Sequence, residues 1–311
     1  MAENKSLSSV SELISEPNLK AYSVRFDVDD LNNPFYDLKE FVNALMYELP
    51  DFAHGGEYWP GATPSNPIEA VNEAAKSIYQ IREFREAADL YLKGGSLSDR
   101  VWERIRRRGE FGELILFFLL RHFNGAIPLL SKIYFKDSDG FAVHGFDAVH
   151  YHEETDNLWL GESKCYESSE KGLDALLADT KEHFKSDYLD REFALVAKKM
   201  HSATLDEEKR QALIERLNGK HSLKDILSGV TIPLLCTFSS PSLAAFNEES
   251  EEFVESFKKE MYGLREYYDT INDHPLKSRL NIVLLLMPVR SKKDLVSSLH
   301  KRLVLAQGLV E

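Results

Sequence analysis

Two carboxylates and a lysine, Asp147, Glu162 and Lys164, lie in two short stretches, Gly145-Phe146-Asp147-Ala148-Val149-His150 and Leu158-Trp159-Leu160-Gly161-Glu162-Ser163-Lys164. Hard oxygen ligands hold Mg²⁺ against a phosphate oxygen and lower the pKa of its bound water. An ammonium beside the same ion can position the attacking water or stabilise the charge of a phosphorane. The chemistry these types suit is metal-dependent phosphodiester hydrolysis. The interval from Asp147 to Glu162 holds the rest of one strand, a turn and most of the hairpin partner, so the two carboxylates can meet.

Strand parity sharpens that reading. Side chains alternate across a strand, so Leu158, Leu160, Glu162 and Lys164 share one face, and Trp159, Gly161, Ser163 and Cys165 the other. Asp147 shares its face with Val143, Val149 and Tyr151. Acids thus interrupt two apolar stripes, a costly placement unless the charge is paired or bound to metal. The carbonyl of Ser163 is a candidate third ligand. A further acid comes from the preceding helix, where Glu110 and Glu113 stand at i and i+3 on one face. Glu113, nearer the helix's apolar half, is the favoured one. Upstream, Arg104, Arg106, Arg107 and Arg108 form a basic tract that suits either phosphate contacts or a solvated or partner-facing helix surface.

The elements that must position these groups follow from periodicity. Residues 1 to about 20 read as a mobile tail, and Tyr22 to Val28 as a strand. A helix starts near Asp37 and runs to about Met46, before Pro50, Gly55, Gly56, Pro60, Gly61, Pro64 and Pro67 enforce a loop. Apolar spacing predicts a helix from Ile68 to Leu92, stopped at Gly94-Gly95, which marks a boundary. Ser98 opens the helix that carries Glu113. Two hairpins follow, turning at Ser138-Asp139-Gly140 and around Glu153 to Asp156, for three antiparallel strands. A helix from Ser169 to Phe184, helices between Glu192 and Leu217, a strand from Thr231 to Phe238, an amphipathic helix from Glu248 to Tyr268, a strand from Leu280 to Val289 and a closing helix from Ser291 complete the chain. The order is αβββα, insertion, βαβα, and the simplest assembly is a mixed sheet with helices on both faces.

Composition bounds the function. With 43% hydrophobic and 29% charged residues among 311, the chain reads as an ordinary globular protein. It has no apolar run of about 18 or more residues and no signal-like start, so a cytoplasmic location without membrane partners is expected. Cys165 and Cys236 have no metal-ligand spacing and read as reduced, buried thiols. A net charge of −13 weakens any unaided grip on nucleic acid, so DNA binding calls for a partner. His144, His150 and His152 fall on the face opposite Asp147 and read as packing or surface histidines. Asp27, Asp29 and Asp30 lack the glycine and terminal Glu of a calcium loop, and no P-loop or dinucleotide-binding glycine motif occurs.

Gly145-Phe146-Asp147, then Glu162-Ser163-Lys164, then a helix, resembles the core of the PD-(D/E)xK nuclease superfamily, with Glu113 where many members place a helix acid. Phe146 stands at the proline that names the superfamily, and the helix after Lys164 lacks the Gln and Tyr motif of its RecB-like branch. The longer pattern, Arg108-Gly109-Glu110-Phe111-Gly112-Glu113 before these two stretches, is similar to the HamA family of the Hachiman antiphage defence system, from about Leu97 to the C-terminus. The resemblance implies a restriction-endonuclease-like α/β fold over residues 96–311, with a helical insertion at about 190–228. An N-terminal α+β extension, residues 1–95, would serve as an accessory or partner-binding region. It also implies a largely sequence-non-specific DNase using Mg²⁺, with Mn²⁺ as a substitute. Asp147, Glu162 and Lys164 would be catalytic with Glu113 as auxiliary acid; Asp147, Glu162, Ser163 and Glu113 would be the metal set. A helicase subunit, HamB, would restrain it. Taken singly, each of these residues has an ordinary account, as a same-face ion pair or a strand-end acid. Their coincidence carries the reading. The rival is a catalytically silent scaffold that regulates a helicase.

Overall fold

The computed structural model describes residues 7–55, 67–78, 102–103, 109–130, 145–199, 205–218 and 227–308. Its strands are β1 (Val10–Ser15), β2 (Leu19–Val24), β3 (Phe26–Val28), β4 (Pro34–Tyr36), β5 (Ile127–Pro128), β6 (Ala148–His152), β7 (Asn157–Tyr166), β8 (Val230–Ser239) and β9 (Asn281–Val289). Its helices are α1 (Leu38–His54), α2 (Pro67–Ile78), α3 (Glu110–Asn124), α4 (Ser169–His183), α5 (Ser186–Lys199), α6 (Glu207–Asn218), α7 (Pro241–Ala245), α8 (Glu251–Ile271) and α9 (Lys292–Gly308). Seven strands form one sheet in the order β1-β2-β9-β8-β7-β6-β5, with β3 and β4 as a separate hairpin. The centre, β2 to β9 to β8 to β7, is parallel, and both flanks are antiparallel.

The sheet separates two cores. On one face Val149, Leu158, Leu160, Leu234, Cys236, Leu284 and Leu286 pack against α4, α5 and α8. On the other, Ala148, Trp159, Leu235, Leu285 and Met287 pack against α1, α3 and α9. The central strands β8 and β9 are covered on both sides, which is why their sequences are continuous apolar runs rather than alternating ones. Helix α3 is apolar nearly all round because it lies between the sheet and α1, with Phe41 on Phe118 and Phe52 on Phe117 at ring separations of 6.0 and 5.6 Å.

Gly161 lets α3 approach β7. A Cβ there would meet Leu116 Cδ2 at 2.8 Å, Pro233 Cγ at 3.2 Å and Ala148 Cβ at 3.3 Å. Gly161→Ala therefore overpacks the joint between α3 and the site strand, at a cost of about 1–3 kcal/mol. The urea midpoint of the variant falls accordingly; an unchanged midpoint contradicts the argument.

Four expectations need correction. Val10 to Ser15 is not a tail but edge strand β1, paired with β2, which in turn runs parallel to β9 in the main sheet. Helix α1 does not stop near Met46: it continues through Pro50 to His54, held by the buried Leu49, Phe52 and Ala53, although Pro50 removes one backbone donor. The expected Tyr22 to Val28 strand is split between β2 and the separate hairpin strand β3. The short strand that pairs with β6 on its outer side is Ile127–Pro128, directly after α3. The helix that carries Glu113 opens at Glu110, after Gly109, rather than at Ser98. The Ser138-Asp139-Gly140 turn, the Gly94-Gly95 boundary, Ser98 itself, the Arg104 to Arg108 tract, His144 and Val143 lie outside the described residues.

Candidate functional site

Strand β7 carries Glu162 and Lys164 on the face covered by α4, as parity predicts. Asp147 lies one residue before β6. The β6–β7 ladder ends at Ala148 opposite Gly161, so Asp147 and Glu162 are the residues just beyond that last pair, near enough for the Asp147 charge to act on Glu162. Asp147 is fixed there by Ser163, whose backbone N–H and hydroxyl both donate to Asp147 Oδ2, at 2.9 and 2.8 Å. Two acids thereby face each other at the same end of two neighbouring strands.

Helix α4 closes over them. Ser168 caps its N-terminus by accepting from the Lys171 N–H, and Gly172 lets it sit tight on the sheet, since a Cβ there would come within 2.6 Å of Cys236 Sγ. Gly172, Leu176, Asp179 and His183 recur at i, i+4, i+7 and i+11, one stripe of the helix facing the sheet. The last two members reach the site. Asp179 forms an ion pair with Lys164, and His183 Nδ1 lies 2.5 Å from Glu162 Oε1. Phe146, just before Asp147, is buried against His183 and Phe184 at ring separations of 5.8 and 5.4 Å. Tyr188, on α5, stacks face-to-face on the His183 ring at 4.7 Å and 14°, and its own ring lies 6.4 Å from that of Phe146.

Electrostatics follow from burial. Glu162 is only 2% exposed, and that desolvation pushes its carboxyl up to about 8; the His183 hydrogen bond pulls the other way, while the neighbouring charges of Asp147 and Asp179 add to the rise. Burial works against the Lys164 cation, but the bond and charge of Asp179, with Asp147 and Glu162 beyond, outweigh it and raise the ammonium. The same contest raises His183: burial disfavours its cation, and Glu162, Asp179 and Asp147 prevail. Three acids crowding one lysine and one histidine form a region built to receive positive charge.

Of the residues singled out in the sequence, Asp147, Glu162, Ser163 and Lys164 come together. Glu113 stands on the first turn of α3, on the opposite side of the sheet, where the adjoining Gly112 faces the Ser163 hydroxyl. It is buried, whereas Glu110 is only partly so. Asp179 and His183 were not anticipated. The signal for them was the α4 stripe, which begins with Gly and Leu and ends with Asp and His. His150 and His152 pack on the far face, against Phe117 and Trp159.

Among the described residues no group of three or more His, Cys, Asp and Glu side chains is set to hold a metal ion alone. The donor set nevertheless fits a hard cation. Asp147 Oδ1 and Glu162 Oε2 make no hydrogen bond among the described residues, and Mg²⁺ usually takes one or two carboxylates and completes its shell with water and phosphate oxygens.

A mixed sheet flanked by helices on both faces, with two acids and a lysine on adjoining strands at one end, is an α/β protein of the restriction-endonuclease-like class. The HamA family model matches residues 3–303, and the chain belongs to the HamA family. Membership implies a role in Hachiman defence and in its complex. No curated protein and no solved structure matches the chain. No described helix is long and apolar enough to cross a membrane.

Proposed function

We propose that the chain is a divalent-metal-dependent DNase, largely indifferent to sequence, acting as the effector of a cytoplasmic Hachiman complex in which a HamB-like helicase subunit restrains it. The observation that carries this reading is the meeting of Asp147, Glu162 and Lys164, two of them on a buried face where unpaired charge is costly. Asp147 and Glu162 offer one uncommitted oxygen each to Mg²⁺ or Mn²⁺, and the Ser163 carbonyl is the further oxygen donor, with Glu113, across the sheet, as the auxiliary acid. Bound there, the ion would polarise a phosphate oxygen and acidify a water. Ser163 holds Asp147 in place through two hydrogen bonds, so the donor need not reorganise. Lys164 supplies a fixed positive charge on the same face as Glu162, where negative charge grows on the phosphate in the transition state. The net charge of −13 accords with an enzyme brought to DNA by its partner rather than by its own field.

Purified protein incubated with supercoiled plasmid and Mg²⁺ or Mn²⁺, alone and together with the helicase subunit, is expected to nick the plasmid in at least one of the two states and to stop when EDTA is added. Intact plasmid in both states, or nicking indifferent to EDTA, overturns the reading.

A further inference from the structure

Helix α4 does more than cover the site, because it grips both chemical side chains of β7. Asp179 takes Lys164, and His183 takes Glu162. The second contact has the more specific geometry. Glu162 is buried to 2% exposure, so few groups can reach it, and of its two oxygens Oε1 is held by His183 Nδ1 at 2.5 Å. The imidazole is itself held by two rings, edge-on to Phe146 and face-to-face with Tyr188, whose own centroids lie 6.4 Å apart. A ring clamped in this way determines the rotation of the carboxylate it binds.

We propose that His183 is a positioning residue for the metal site: by binding Oε1 it turns Oε2 of Glu162 toward Asp147 Oδ1, and Tyr188 of α5 holds the ring in that orientation. The inference rests on the reading of Asp147 and Glu162 as cation ligands. A carboxylate free to rotate in a pocket alternates between productive and unproductive orientations, and a ligand that must be ordered on binding gives up part of its affinity. Helix α5 therefore contributes to the site through one ring-on-ring contact, without supplying a ligand.

The test is Mn²⁺ binding to the EDTA-stripped full-length chain, followed by the electron paramagnetic resonance of free Mn²⁺, which needs no catalytic turnover. His183→Leu is expected to weaken Mn²⁺ roughly 10- to 100-fold, the usual penalty for losing a group that orients a metal ligand. In His183→Asn the amide nitrogen is bonded to Cγ as Nδ1 is, so it can donate to Oε1 from a similar place, and affinity should return to within about threefold of the parent. A merely structural role predicts no such rescue. Thermal melting accompanies each variant; should His183→Leu not fold, His183→Gln replaces it, since its amide nitrogen lies one bond farther out and is expected to fail where Asn succeeds. Parent-like binding by the Leu or Gln variant, or an Asn variant as weak as these, overturns the proposal. Glu162→Ala separates the two layers of argument. If it loses Mn²⁺ while His183→Leu retains it, the metal site stands and the positioning role falls; if Glu162→Ala itself binds Mn²⁺ like the parent, both fall.

Discussion

Glu162→Ala and Lys164→Ala are each expected to reduce metal-dependent cleavage by roughly 10²- to 10³-fold or more, the usual cost of removing one group that stabilises developing charge, while the fold survives. The two should separate in a second measurement. Glu162→Ala removes one of two carboxylate donors and so loses Mn²⁺ binding along with cleavage. Lys164→Ala removes no donor and is expected to keep Mn²⁺ and lose only cleavage. Stability should hold in both cases. Glu162 is desolvated and beside another acid, so its removal relieves a buried like-charge contact rather than creating one. The Lys164–Asp179 pair has side chains 25% and 33% exposed, and such partly solvated pairs contribute at most about 1 kcal/mol. Lys164→Arg is not expected to rescue: its planar fork has a different reach, and Asp179 can engage it bidentately away from the substrate. Cleavage at the parental rate by Glu162→Ala sinks the assignment of the site.

How much of this was legible beforehand depended on whether the information was local. Strand β7 was readable because Leu158, Leu160, Glu162 and Lys164 follow a period of two without interruption, and the turn before it because Glu153 to Asp156 is polar; Asp156 takes the left-handed φ of 50° that the turn requires. The closing β8 and β9 were readable as apolar runs, α8 from its amphipathic spacing and α9 from its start at Ser291. Strand β1 was not, and its register explains why: a bulge between Glu12 and Ile14 breaks the alternation, so Val10, Leu13 and Ile14 do not follow one parity, and Glu12 is buried beside Lys20. The end of α1 was misplaced because a local rule about Pro50 competes with tertiary packing of Leu49, Phe52 and Ala53, and packing wins. Asp179 and His183 depend on where α4 docks along the sheet, which the close contact of Gly172 with Cys236 determines and no local pattern encodes. The catalytic candidates were therefore visible as a spacing, and the groups that orient them only as a packing arrangement.

The packing face of β6 predicts an acid sensitivity that resides in His150. Its side chain is 2% exposed, stands opposite Trp159 in the ladder and lies 5.5 Å from the Phe117 ring, and neither ring nitrogen has a hydrogen-bond partner among the described residues. Burial, with the nearby Arg121 charge adding to it, lowers its pKa to about 3. In the unfolded chain the same imidazole titrates near 6.5. Between those values the unfolded state binds the extra proton, so this histidine's contribution is intact above about 6.5 and is lost as the pH falls toward 3. At about 1.4 kcal/mol per pH unit, the full window amounts to something on the order of 5 kcal/mol, a large part of a typical domain's stability. His150→Phe keeps a ring in the same slot and removes the titration. At pH 7.5 the variant should be as stable as the parent or slightly more so, since two buried polar atoms without partners are gone. The gap between their urea midpoints should then widen at pH 6, 5 and 4, the shared carboxylate titrations cancelling between the two proteins. Midpoints that fall in parallel would show that His150 is solvated or hydrogen-bonded in solution, and would contradict the dry packing of β6 against α3.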